Sequence, residues 1–346
     1  MIKNREPLTD ANLLLAITVC IFAVMYISSI AAFGGGFTRS QQFFNLFNEN
    51  AALIIISCGL SVVMVGGGID ISAGGVTALV CMSCVVCMDD LGFGVFGSLL
   101  LALTIGLAFG ALQGFLVSYL EVQPFIVTLA GMFLARGVTT MVEVKPRSVQ
   151  DEMFNALRKI EITIPGIGYQ ARNGNYIDAT IEVGVIIALL VVVGIFCILK
   201  WTRIGRNLYA IGGNIQSALM LGIDVKRTKF YSYLLCGFLS GIGGYVYLMH
   251  TGSGSVTQAT GAEMKAIASS IIGGTLLTGG VGNVIGTLFG VLSLGTINNI
   301  VIALRLIGPW WQGITTGIML CFFIVLQSLI LRYRGMLRFS RIKKIS

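Results

Sequence analysis

Long apolar runs, separated by short polar or glycine-rich stretches, account for most of the chain. They fall at about 13–33, 44–65, 71–88, 95–120, 125–142, 181–199, 230–248, 262–272, 281–304 and 309–331. Most approach the roughly 20 residues with which an α-helix crosses a bilayer; two are short. The pattern predicts an all-α polytopic membrane protein of about ten transmembrane segments, some of them broken half-helices, in a single domain over residues 1–346. The first run is too long for a signal-peptide core and is read as a retained helix.

Between two strongly apolar halves lies a polar island, KWTRIGRNLYAIGGNIQSALMLGIDVKRTK, at 200–229. Within it Gly212-Gly213 reads as a turn and Asn214 as a helix cap. Ile215, Ala218, Leu219 and Gly222 follow at spacings of three and four, which place them on one helical face. A helix of about two turns is marginal alone, because nucleation is costly. It needs a surface to dock against, and a second protein on the cytoplasmic side of a membrane is the partner we expect.

Composition agrees with the membrane reading. Of 346 residues 55% are hydrophobic and 11% charged, where a soluble domain carries about 25% charged. A net charge of +8 would suggest nucleic acid in a soluble protein. Here the cations cluster instead at Lys3 and Arg5, in six positions of the island, and in six of the tail from Arg332 to Lys344, 14 of the 23 in all. The loop at 143–179 balances Lys145, Arg147, Arg158, Lys159 and Arg172 with Glu143, Asp151, Glu152, Glu161 and Asp178. By the positive-inside rule the island and both termini are cytoplasmic and that loop is external.

The halves also resemble each other. Gly110, Gln113 and Pro124 recur as Gly295, Asn298 and Pro309 at one offset of 185 residues. With Pro124 cytoplasmic and Pro309 external, the repeats, about 44–142 and 230–331, would be inverted, an arrangement common in transporters. Two glycine ladders, Gly106-Gly110-Gly114 and Gly282-Gly286-Gly290, mark helix faces where backbones can approach closely.

Enzymatic chemistry finds little support. No nucleophile has a base nearby, and no glycine precedes a lysine, so the chain has no phosphate-binding P-loop. The G-x-G-x-x-G at Gly92–Gly97 follows no strand. Cys81, Cys84 and Cys87 lack a histidine or a fourth cysteine and read as small residues of a membrane helix, and His250 reads as a structural residue at a helix end. No metal site is expected.

Two interruptions carry the polar residues at membrane depth. In VMVGGGIDISAGGVTAL, Gly66–Gly68 unwind a helix and Asp70 with Ser72 begins the next. Asp70 either caps that helix or meets a permeating solute. In GAEMKAIASSIIGGTLLTGGVGN a half-helix from Glu263 ends at Gly273-Gly274, and another starts beyond Gly279-Gly280. Irregular backbone at this depth is tolerated inside protein or beside a water-filled cavity, and paired broken helices point to a translocation site. Glu263 either complements the helix dipole or ligates solute. Arg136 either snorkels to the external interface or donates into a cavity. Candidate pathway residues are Gly68, Asp70, Ser72, Gly74, Phe125, Thr128, Arg136, Glu263, Ile267, Gly273 and Gly274.

The motifs GGIDISAGG, QPFIVTLAGMFLARG, TRIGRNLYAIGGN and GAEMKAIASSIIGGTLLTGGVGNVIGTLFG, in that order, resemble the permeases of bacterial binding-protein-dependent ABC sugar importers, in the ribose/xylose/galactose branch. GMFLARG, GGTLLTGGVG and the Pro309-Trp310-Trp311 ending are most similar to a galactofuranose importer's permease. The resemblance implies a multi-pass protein of the bacterial cytoplasmic membrane. Its partners would be a second permease (identical or related), an ABC ATPase below and a soluble sugar-binding protein above. ATP and magnesium would be held by the ATPase, and no cofactor by this chain. It further implies that Gly205, Arg206, Asn214, Ser217, Ala218, Leu219, Leu221 and Gly222 form the ATPase-coupling region. Two positions depart from the family pattern: Lys265 replaces the usual aspartate after Glu263, and Met220 replaces a polar or basic residue. The alternatives are an ion-coupled secondary sugar transporter, for which Asp70 is nearly the only membrane acid, and a scaffold without transport, against which the broken helices argue.

Overall fold

A computed structural model describes residues 10–34, 37–170, 176–305 and 308–342. Lys3, Arg5, Arg172, Lys343 and Lys344 lie outside these, as do the side chains of Arg332, Arg334, Arg338 and Arg341. Each of the ten apolar runs is a helix. They are α1 (Asp10–Phe33), α2 (Ser40–Val65), α3 (Ala73–Asp89), α4 (Gly94–Ser118), α5 (Pro124–Val142), α7 (Val183–Trp201), α10 (Val225–Thr251), α11 (Ala262–Ile272), α12 (Val284–Ala303) and α13 (Pro309–Ile342). Three short helices complete the set: α6 (Glu152–Arg158), α8 (Arg203–Gly213) and α9 (Ile215–Met220). Among the described residues seven helices are long and apolar enough to cross a membrane, and α3 is a shorter apolar helix.

α2 and α10 form the centre, with 78% and 72% of their apolar windows buried, against 22–33% for α1, α4, α5 and α7. The outer helices turn Val24, Ile27, Phe133, Leu134, Leu190 and Val193 outward. In water such a surface would be a liability, whereas lipid covers it. Neighbours are exchanged between the halves: α10 packs on α4 and α3, and α2 packs on α12 and α11; α3 meets α5, and α11 meets α13.

Both glycine ladders are contact faces. A Cβ on Gly106 would strike Gly237 O of α10, and one on Gly110 would lie 2.7 Å from Tyr233 O. A Cβ on Gly286 would strike Gly273 O, and one on Gly290 would strike Ser269 O. The α10 partners Gly237 and Gly241 form a matching ladder that the sequence reading passed over.

The loop after α5 is folded, which the apolar pattern does not predict. β1 (Arg147–Ser148) pairs with β4 (Ser253–Gly254), and β2 (Glu161–Gln170) pairs antiparallel with β3 (Tyr176–Glu182). The β3 edge rests on the polar start of α2. Gln41 accepts from Thr180 N at 2.8 Å and donates to Thr180 O at 3.2 Å, while Asn48 accepts from Glu182 N at 3.1 Å. Those amides satisfy a strand edge that would otherwise be unpaired. At the same end His250, in the last turn of α10 as expected, lies 2.9 Å from Glu182.

Candidate functional site

α2 stops at Val65, where Gly66 and then Gly67 at φ +80° turn the chain out of helix. Asp70 is 2% exposed. Its Oδ1 accepts from Ser72 N at 2.8 Å and from Ser72 Oγ at 2.6 Å, and the thiol of Cys236 also donates to it. The carboxylate therefore serves the backbone just ahead of α3. Ser72 Oγ is also 3.1 Å from Gln113 Oε1 of α4. A serine hydroxyl carries one proton, and Gln113 Nε2 has no partner. With the amide turned over, Nε2 donates to Ser72, whose proton goes to Asp70, so the three residues form a polarised chain from α4 into the broken element. On the other side Tyr233, which the sequence reading did not single out, donates to Ile69 O at 3.3 Å and lies so close to Gly68 that a Cβ there would be 2.6 Å from its hydroxyl.

The second interruption meets the first. Glu263 is 8% exposed; Oε1 accepts from Gly261 N at 3.2 Å, and Oε2 lies where a Cβ on Gly74 would be. Glycine at 74 is what lets α3 approach the start of α11. Arg136 anchors a loop through one nitrogen, while its buried Nη2 has no partner among the described residues. Its Nη1 donates to Val256 O at 2.9 Å and Gln258 O at 3.3 Å, fastening α5 to the loop that leads into α11. Thr128 is buried and donates back to Pro124 O at 2.9 Å. Ile267 is half-buried and packs on the cluster around Ile56 and Leu60, whereas Phe125 stays exposed. Gly273 abuts Gly286, and Gly274 at φ +91° abuts Leu14 of α1. Among the described residues no group of three metal-ligating side chains occurs.

The polar island is three short pieces of structure. Thr202 turns the chain from α7 into α8: its hydroxyl donates to Ile198 O at 2.7 Å and accepts from Gly205 N at 3.3 Å. Gly205 is buried where a Cβ would strike Leu199 O, and Arg206 donates to Trp201 O at 3.1 Å. Asn214 caps α9 as predicted, accepting from Ser217 N at 2.8 Å. One detail differs from expectation. Gly212-Gly213 is the last turn of α8, not a loop. On α9 only Ala218 is buried, whereas Leu219, Met220 and Leu221 are 56%, 88% and 77% exposed. Gly222 at φ +76° then ends the helix, with Ile223 N on Ala218 O at 3.1 Å. A groove of about 500 Å³ runs beside this tip, bounded by Val117, Pro124, Leu219 and Lys226.

What joins tip and broken elements is a knot of bare backbone. Gly280 N donates to Val65 O at 2.9 Å. A Cβ on Gly212 would strike Val65 O and Gly280 N; one on Gly279 would lie 2.8 Å from Gly67 N; one on Gly280 would lie 2.7 Å from Gly213 N. The end of α8 therefore touches both interruptions with no side chain between them.

Comparison with known proteins gives a consistent result. Residues 42–324 match the family model described as branched-chain amino acid transport system / permease component. The inner membrane ABC transporter permease protein YjfF of Escherichia coli (strain K12) is 37% identical over 91% of this chain and 92% of its own. The fructose import permease protein FruG of Bifidobacterium longum is 36% identical, over 92% and 91%. The ribose import permease protein RbsC of Escherichia coli (strain K12) is 30% identical, over 94% and 98%. No solved structure matches.

Proposed function

Since the chain belongs to this ABC permease family, whose relatives here include sugar-import permeases, we propose that it forms the membrane pathway for a monosaccharide, driven by ATP hydrolysis in a separate subunit. The observation that carries the reading is the exposed apolar tip Leu219-Met220-Leu221, tied through Gly212-Gly213 to the inner ends of both broken helices. The tip docks on an ABC ATPase, and closure of the ATPase pair moves α8 and α9. The glycine knot passes that displacement to the interruptions without the slack of flexible side chains. The membrane part thereby shifts between outward- and inward-facing populations. A second permease, identical or related, completes the pathway, and a soluble binding protein delivers the sugar at the hairpin end. The island, with both termini, faces the cytoplasm. The neighbour exchange across α2 and α10 supports the inverted repeat. Ribose, fructose and galactofuranose are the sugars to try first.

The test is uptake of labelled sugar by proteoliposomes holding permease and ATPase. Uptake should require ATP at the ATPase face and added binding protein, and should persist when ionophores collapse proton and sodium gradients. Uptake that survives without ATP and is abolished by an ionophore would make the protein a secondary transporter instead.

A further inference from the structure

Near the hairpin end, between α2, α10 and the start of α11, lies a half-open pocket of about 350 Å³ with a mixed polar and apolar lining. That volume is at the small end of the roughly 300–1,000 Å³ typical of ligand sites. Glu49 and Asn50 line it from α2, Tyr247 from α10, Thr257 and Gln258 from the loop, and Lys265 from α11. Glu49 and Lys265 both line this space, and neither joins an ion pair among the described residues. The imidazole of His250 is engaged by Glu182 at 2.9 Å. The loop wall is fixed: Arg136 holds the carbonyls of Val256 and Gln258, and the Gln258 amide bonds Thr251 Oγ1 and Ser255 N at 2.9 Å each.

We propose that this pocket, within one permease subunit, is a receiving site for a neutral polyhydroxylated molecule of monosaccharide size. Separated opposite charges suit neither a net cation nor a net anion; of the neutral candidates, a zwitterion or a polyol, the sugar-import relatives favour the polyol. Its hydroxyl groups donate to a carboxylate and accept from an ammonium with the strength of charge-assisted bonds. Tyr247 and Thr257 line the same space. Arg136 is a positioning residue, which keeps the loop in place without touching the ligand. The site refines the importer reading and rests on it.

Two measurements test it on the permease in nanodiscs and in the transport-competent complex. First, Ala262→Cys, at a lining position to which the proposal gives no ligand role, in a background where exposed Cys20 and Cys321 are replaced by serine, is labelled with a charged methanethiosulfonate. D-ribose, D-fructose or D-galactose, whichever the wild-type complex imports, should slow labelling at least severalfold, whereas mannitol-free buffer made isotonic with salt should not. Second, Lys265→Met and Glu49→Gln should each weaken uptake about tenfold or more through the apparent KM, and Lys265→Arg should restore most of it. Unprotected labelling at saturating sugar, or variants with wild-type KM, would overturn the pocket while leaving the importer reading intact. A wild-type complex that imports no sugar and shows no protection would remove both.

Discussion

Asp70, Ser72 and Gln113 show how one buried carboxylate is accommodated at membrane depth: every bond it accepts comes from a neighbour that has few other partners. Asp70→Asn keeps an acceptor at Oδ1 and should be mild. Asp70→Leu leaves the Ser72 N–H unsatisfied and should cost about 1–3 kcal/mol, read as a lowered thermal midpoint in detergent. Outside the membrane, Arg147 grips Asp90 through two bonds of 2.6 and 2.7 Å. This hydrogen bonding holds the Asp90 carboxyl below its ordinary value of 3.8. The stabilisation it gives is present above that value and is lost as pH falls through the lowered one. Hydrogen exchange at Val149 N, which donates to Gly252 O at 3.0 Å, should therefore quicken on acidification beyond its intrinsic dependence. Asp90→Asn should show no such acid step, and a variant behaving like wild type would separate the strand pair from this ion pair.

At the scale of elements, the ten apolar runs were legible because lipid demands unbroken hydrophobic stretches, and both glycine ladders because close helix contact leaves a four-residue period. The hairpin was not legible in that way. The polar amides of Gln41 and Asn48 have meaning only once β3, more than 130 residues away, is beside them. Gly212-Gly213 was misread for a related reason: glycine marks both tight turns and close backbone contacts, and only the neighbours Val65 and Gly280 decide between them. That contact yields a prediction. Gly212→Val should leave the ATPase bound, since α9 is untouched, but should lower sugar transported per ATP hydrolysed severalfold or more. An unchanged ratio would show that force travels by another route. By contrast Leu221→Asp, on the tip itself, should release the ATPase during purification, because burying a carboxylate in an apolar contact costs several kcal/mol.

For the whole molecule, the chain is built so that its two ends differ. One carries cations and a projecting apolar tip; the other carries a folded, charge-balanced cap and the half-open pocket. Between them the two enclosed helices α2 and α10 hold the broken elements. Family membership was legible from four motifs, while the sugar was not, because few fixed side chains would contact it and these come from four separate elements. The most direct test of the account is site-specific photo-crosslinking from Met220, replaced by p-benzoylphenylalanine, in native membranes. The account predicts an ATP-sensitive adduct, identified by mass spectrometry as an ABC ATPase and formed from the cytoplasmic face. An adduct formed only from the external face, or none under conditions where the complex imports sugar, would contradict it.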